Sequence, residues 1–233
     1  MKCQVSFSLA FALAFPLYAQ NIESKRVEKA GEVMEQILNA PQRIPEGILD
    51  QANCVVIVPS VQKFAVGIGG SYAPGVMTCR GNTGFYGPWG APAMVALEGN
   101  GAELQLSGGA TDFVLLLMTP RAADHVLKGK VKLGDNASAA AGPVSNATSK
   151  ETDVTVRTDI LCYSRALGKL TGISLEGSIL WSDDRANTNL YGQDISAKDI
   201  VFNKAVSVPD CAKNLLVTLQ SASPTKKLKA VPK

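Results

Sequence analysis

From Cys54 to Trp181 the chain is cut into short apolar runs by glycine and other turn-forming residues, and that rhythm most restricts what it can fold into. Strand-length segments fall at 54–58, 93–98, 103–107, 113–118, 130–133, 138–144, 153–163 and 173–181. Val154, Val156 and Thr158 alternate with Thr155, Arg157 and Asp159, the pattern of a half-buried strand. With 21 glycines and only 18% charged residues in 233, the composition leans the same way. Helical signals lie mostly outside this block. Val27, Ala30, Met34, Ile37 and Leu38 form one apolar stripe in a helix over 22–38. Pro45 opens a short helix over 45–51. Pro120 starts another reaching about Leu127, and Ser182-Asp183-Asp184 caps one over 185–191. Further helices are expected over 196–202 and 209–219. The expected fold class is therefore α+β: a β-rich single domain of mainly antiparallel strands, barrel- or sandwich-like, with helices at the N-terminal side and the C-terminus. It spans 20–221, followed by a basic disordered tail over 222–233.

Within the strand block, "KFAVGIGGSYAPGV" (63–76) invites comparison with a phosphate-cradling loop. A dinucleotide fingerprint needs G-x-G-x-x-G between strand and helix. Gly67 and Gly69 fit, but the third position is Tyr72, and Ala73-Pro74-Gly75 is turn chemistry. Read as a strand, Phe64, Val66 and Ile68 point one way, while Ala65, Gly67, Gly69 and Ser71 point the other. The bare face suits close packing of another layer or a ligand lying against it. Ala73-Pro74-Gly75 is expected to turn the chain back into 76–79.

The first residues bear on the compartment. Met1-Lys2, an apolar run over 5–17 and Leu17-Tyr18-Ala19 read as a secretory signal peptide cut after Ala19. The run is too short to span a bilayer comfortably. The expected localisation is secreted or periplasmic. Removing 1–19 leaves 22 basic and 20 acidic residues, a net charge of +2, which gives no global pull towards nucleic acid. It also leaves Cys54, Cys79, Cys162 and Cys211. An even number in an exported chain suggests at least one disulfide, with three pairings open. Their gaps of 25, 83 and 49 residues and the single histidine argue against a zinc site. No metal and no cofactor is expected.

Catalytic signals are poor. His125 has no recognisable G-x-S-x-G partner and reads as a surface or capping residue. Asp183-Asp184 reads as a helix cap rather than a carboxylate pair. No catalytic residue is nominated. The best chemical signal is "KGKVK" (128–132). If extended, Lys128, Lys130 and Lys132 project on one side at roughly 7 Å spacing, which suits anionic headgroups. Lysines on a solvated edge strand that discourage aggregation are the plainer reading. Lys25, Arg26 and Lys29 on the first helix are possible additional membrane contacts.

Five stretches together resemble the SYLF domain family: "VVIVPSVQKFAVGIGGSYAPGV" (55–76), "GATDFVLLLM" (109–118), "LGDNASAAAGPV" (133–144), "YSRALGKLTGISLEGSIL" (163–180) and "NLYGQDI" (189–195). Their order and spacing carry the resemblance, which covers about 30–203. It implies one β-rich α+β domain that binds anionic phospholipids, phosphoinositides in eukaryotic members, without enzymatic activity or cofactor. Some members also bind actin filaments, which the signal peptide sets against here. The resemblance assigns no headgroup contact residue by residue, because the matched motifs are mostly glycine and apolar. Two function classes follow. The first is a lipid-binding module whose partner is an anionic phospholipid surface. The second is an envelope protein-interaction module, for which Phe85, Tyr86 and Trp89 would form an exposed aromatic patch, against a plainer role in the core or pinning a turn.

Overall fold

The computed structural model describes residues 14–61, 71–81, 84–99, 110–146, 158–203, 205–224 and 226. In chain order the elements are α1 (Ala14–Leu38), β1 (Gln42–Arg43), α2 (Glu46–Leu49), β2 (Cys54–Val61) and β3 (Ser71–Cys79). Next come β4 (Ala93–Gly99), β5 (Thr111–Leu117), α3 (Pro120–Lys128), β6 (Lys130–Lys132), β7 (Ala139–Ala141) and β8 (Ser145–Asn146). The rest are β9 (Ile160–Ala166), β10 (Lys169–Gly172), β11 (Ile179–Ser182), α4 (Asp184–Tyr191), α5 (Ala197–Val201), a 3-10 turn (Asp210–Ala212) and α6 (Lys213–Ala222).

One curled sheet, half a barrel, runs β10–β9–β5–β2–β3–β4–β11–β6. Every neighbouring pair along that path is antiparallel, and β7 lies parallel to β9 beside β10. The α+β, mainly antiparallel expectation holds in its barrel-like form. Both faces of the sheet are covered, and this explains its unbroken apolar runs. Alternate side chains of a strand point to opposite faces. Val56 and Val58 of β2, with Phe113, Leu115 and Leu117 of β5, pack towards α3 and α5. Val55 and Ile57, with Val114 and Leu116, pack towards α1, α4 and α6.

The helix signals translate well. Thr119 accepts from Ala122 N–H at 3.2 Å and starts α3. Asp183 accepts from Ala186 N–H at 3.0 Å and starts α4, which Gly192 ends at φ +69°. Helix α1 begins at Ala14, not residue 22, and passes through the expected cut after Ala19. Of the expected stripe Val27, Ala30, Met34 and Ile37 are fully buried, Val33 joins them, and Leu38 is only partly buried. Among the described residues no helix is long and apolar enough to cross a membrane.

Three expectations need correction. Ala73-Pro74-Gly75 is not a turn but lies inside β3, opposite Leu97, Ala96 and Val95 of β4. The β2–β3 pairing runs from Cys54↔Cys79 to Ile57↔Val76. Extending that register sets Pro59 opposite Pro74, two residues without an N–H, and the ladder stops before them. Gly75 allows the close approach, since a Cβ there would meet the Ile57 carbonyl oxygen at 2.9 Å. Second, 173–181 is not one strand. β10 precedes it, and a loop holding Gly177 at φ +84° separates β10 from β11. Third, part of the expected disordered tail is held: Ser223 is fully buried and Lys226 donates to the Asn53 side chain. The bare glycine face over 63–70 and the strands expected at 103–107 and 153–157 lie outside the described residues.

Candidate functional site

The β9–β10 hairpin turns on two residues, since Ala166 pairs with Lys169. They are Leu167 at φ +50° and Gly168 at φ +76°. A two-residue hairpin of this kind wants Asn-Gly or Gly-Gly, because both centres are left-handed. Leucine there costs about 1–2 kcal/mol of backbone energy. It also gains no burial, for Leu167 is 89% exposed. Folding explains neither feature.

Below the turn is an open depression of about 220 Å³ lined by Lys29, Ser60, Ala110, Asp112, Arg165, Leu167 and Gly168. Arg165 grips one Asp112 oxygen through Nε at 3.0 Å and Nη2 at 2.7 Å. The other oxygen accepts from Ser60 N–H at 2.8 Å. Ser60 is at φ +53°, within a register shift between Val58 and Val61. So a β2 irregularity and a β5–β9 ion pair brace the hairpin root. Lys29 stands on the rim, bonded to Glu32 at 2.8 Å, and Lys169 is exposed one residue beyond Gly168. Lys25 is exposed one helical turn before Lys29, while Arg26 is bonded to Glu23. Of the cations expected on α1, Lys29 therefore belongs to this site.

Lys128, Lys130 and Lys132 are not three projections of one strand. Lys128 ends α3, and Gly129 separates it from β6, where Lys130 and Lys132 are exposed on either side of buried Val131. Each has a carboxylate neighbour: Asp124 at 2.5 Å for Lys128, Glu98 at 3.9 Å for Lys130, Asp135 at 2.7 Å for Lys132. Lys130 also lies 5.3 Å from the Trp181 ring centre. β6 is the edge strand at the far end of the sheet from β10.

Cys54 and Cys79 form a disulfide across directly opposed positions of β2 and β3. Cys162 and Cys211 are free. Burial pushes the Cys162 thiol up to about 12, the reverse of a reactive thiolate. Phe85 and Trp89 are buried, and of the expected aromatic patch only Tyr86 is exposed. Phe85 packs edge-on against Phe202. Trp89 pins the C-terminal segment, donating from Nε1 to the Ser223 carbonyl at 3.1 Å. His125 sits half-buried near the end of α3. Among the described residues no three His, Cys, Asp or Glu side chains are grouped to hold a metal ion.

Sequence reasoning missed Leu167, the Asp112–Arg165 pair and buried Arg80. The only available signal for Leu167 was a leucine directly before Gly168 in a sequence that turns.

A family model described as Las17-binding protein actin regulator matches residues 98–222. An SH3 domain-containing protein of Schizosaccharomyces pombe is 32% identical over 203 residues, 83% of this chain and 46% of its own length. Protein YSC84 of Saccharomyces cerevisiae is 31% identical over 189 residues, 80% of this chain and 39% of its own. SH3 domain-containing YSC84-like protein 1 of Bos taurus is 28% identical over 214 residues, 86% of this chain and 59% of its own. The chain thus spans about half the length of these relatives.

Proposed function

The chain belongs to the Ysc84 (SYLF) family, and on that premise we propose that it is an exported, non-catalytic module that docks on anionic phospholipid membranes through the β9–β10 hairpin. The observation that carries this reading is Leu167, 89% exposed at a left-handed turn position where leucine is disfavoured. Full burial of such a side chain in a bilayer contributes about 1.5–3 kcal/mol. Lys29 and Lys169 flank it and supply headgroup attraction of about 1 kcal/mol each near an anionic surface. Lys25 and Arg26 lie along the same helix. Lys128, Lys130 and Lys132 form the rival patch, at the opposite sheet edge.

Leu167→Asn separates function from folding because its two effects have opposite signs. It should raise stability by about 1 kcal/mol, since asparagine suits the turn. It should also weaken binding to anionic vesicles by about tenfold or more. The triple variant Lys128→Ala/Lys130→Ala/Lys132→Ala should bind almost as the parent does. Loss of binding in the triple variant alone would move the contact to the β6 edge.

The family description favours a second reading, a protein-interaction module of Las17-binding type. Under it the same hairpin seats in a protein groove, and Leu167→Asn leaves vesicle binding unchanged.

A further inference from the structure

Among the described residues, two buried donor groups at the end of β2 away from the Leu167 hairpin have no acceptor. They are Nη1 of Arg80 and Nδ2 of Asn53. Both residues are fully buried, and Arg80 N–H donates to the Asn53 carbonyl at 2.9 Å, so the pair is adjacent. Buried donors without partners are rare because water has been removed and nothing replaces it. The rest of Arg80 is engaged. Nε donates to the Ala52 carbonyl at 3.2 Å, Nη2 donates to Ser223 Oγ at 2.5 Å, and the guanidinium lies 4.2 Å from the Trp89 ring centre.

Lys226 supplies a third donor. Its ammonium donates to Asn53 Oδ1 and lies 5.5 Å from the Tyr86 ring centre. That bond orients the amide and leaves Nδ2 as the orphan. An ammonium has three N–H groups, so Lys226 keeps donors in reserve. Asp50 joins the cluster through Ser223, whose hydroxyl donates to Oδ1 at 2.5 Å. Among the described residues, the charged groups that meet here are two cations, Arg80 and Lys226, and the Asp50 carboxylate. The imbalance is felt: burial first, then the charge of Arg80, lowers the Lys226 pKa.

We propose that Arg80, Asn53 and Lys226 form a binding site for one small oxyanion of the phosphate type, closed over by Ser223 and Lys226. A phosphate group gives both orphan donors and the lysine an oxygen each and cancels the surplus charge. A carboxylate has only two oxygens to share among three donors. The site lies at the opposite end of β2 from the hairpin, so it does not depend on the membrane reading.

The test uses Trp89 as reporter. The chain has two tryptophans, and Trp181→Phe leaves Trp89 alone. Inorganic phosphate is titrated into this protein at constant ionic strength set with sodium chloride, with emission and Tm recorded. A saturable emission change is expected, with a Tm rise of roughly 5–10 °C at a hundredfold excess over Kd. Lys226→Gln, at the partly exposed C-terminal segment, should keep the fold and weaken phosphate about tenfold or more. A parallel titration with phosphatidate vesicles identifies the source, since a response to vesicles alone keeps these residues and assigns the phosphate to a headgroup. Emission and Tm that ignore both forms of phosphate, or an unchanged Kd in Lys226→Gln, overturn the site.

Discussion

Arg80→Ala should lower stability by about 3–5 kcal/mol, the cost of breaking a buried charged network by removing one partner. The guanidinium bonds the Ala52 carbonyl before β2 and Ser223 after α6, and it underlies Trp89. Truncation removes the positive charge that faces Asp50 through Ser223. It also opens a cavity under the indole and costs the cation–π contact. For a domain of this size the loss corresponds to a Tm drop of roughly 10–15 °C. Arg80→Lys should not restore it, because one ammonium cannot reproduce a planar fork stacked on a ring. Thermal unfolding of both variants checks this. A loss below about 1 kcal/mol in Arg80→Ala would show that the C-terminal segment is held some other way.

Replacing both disulfide cysteines, as Cys54→Ala/Cys79→Ala, should cost about 4 kcal/mol. The bond closes a loop of sequence separation 25. Constraining such a loop in the unfolded chain contributes about 3.5 kcal/mol on the entropy account. Both positions are buried, at 0% and 2% exposure, so the truncation adds a packing loss. Urea unfolding should show a fall in midpoint, with a change in slope where the unfolded chain expands. Protein starting at Gln20, purified without reductant and then unfolded, should titrate two thiols, those of Cys162 and Cys211. Four thiols would contradict the pairing.

Much of the fold was legible because its signals are local. Thr119, Asp183 and Ser196 cap helices where short polar residues precede helical runs. The α1 stripe needed only a period of 3.6. Pro74 and Gly75 misled because a proline–glycine pair ordinarily marks a turn, whereas here the register sets Pro74 beyond the β2–β3 ladder. The disulfide pairing was not legible because it depends on Cys54 and Cys79 facing each other across two strands, a consequence of register rather than spacing. Lys128, Lys130 and Lys132 looked like one row because the helix expected to reach about Leu127 runs on through Lys128. Arg80 was unreadable for the opposite reason. Nothing beside it in the sequence announces burial, and its partners Asp50, Ala52 and Ser223 include one that comes 143 residues later. Leu167 lay in plain sight, but its meaning required knowing that the hairpin turns on it.

The most direct test of the membrane-docking account is co-sedimentation of the purified protein with neutral and anionic vesicles at low and physiological salt. The account predicts pelleting with anionic vesicles, weakened by salt because exposed charges are screened beyond about 8 Å. It also predicts a residual salt-resistant fraction that disappears in Leu167→Asn. Equal recovery in the supernatant with neutral and anionic vesicles at both salt concentrations would contradict it.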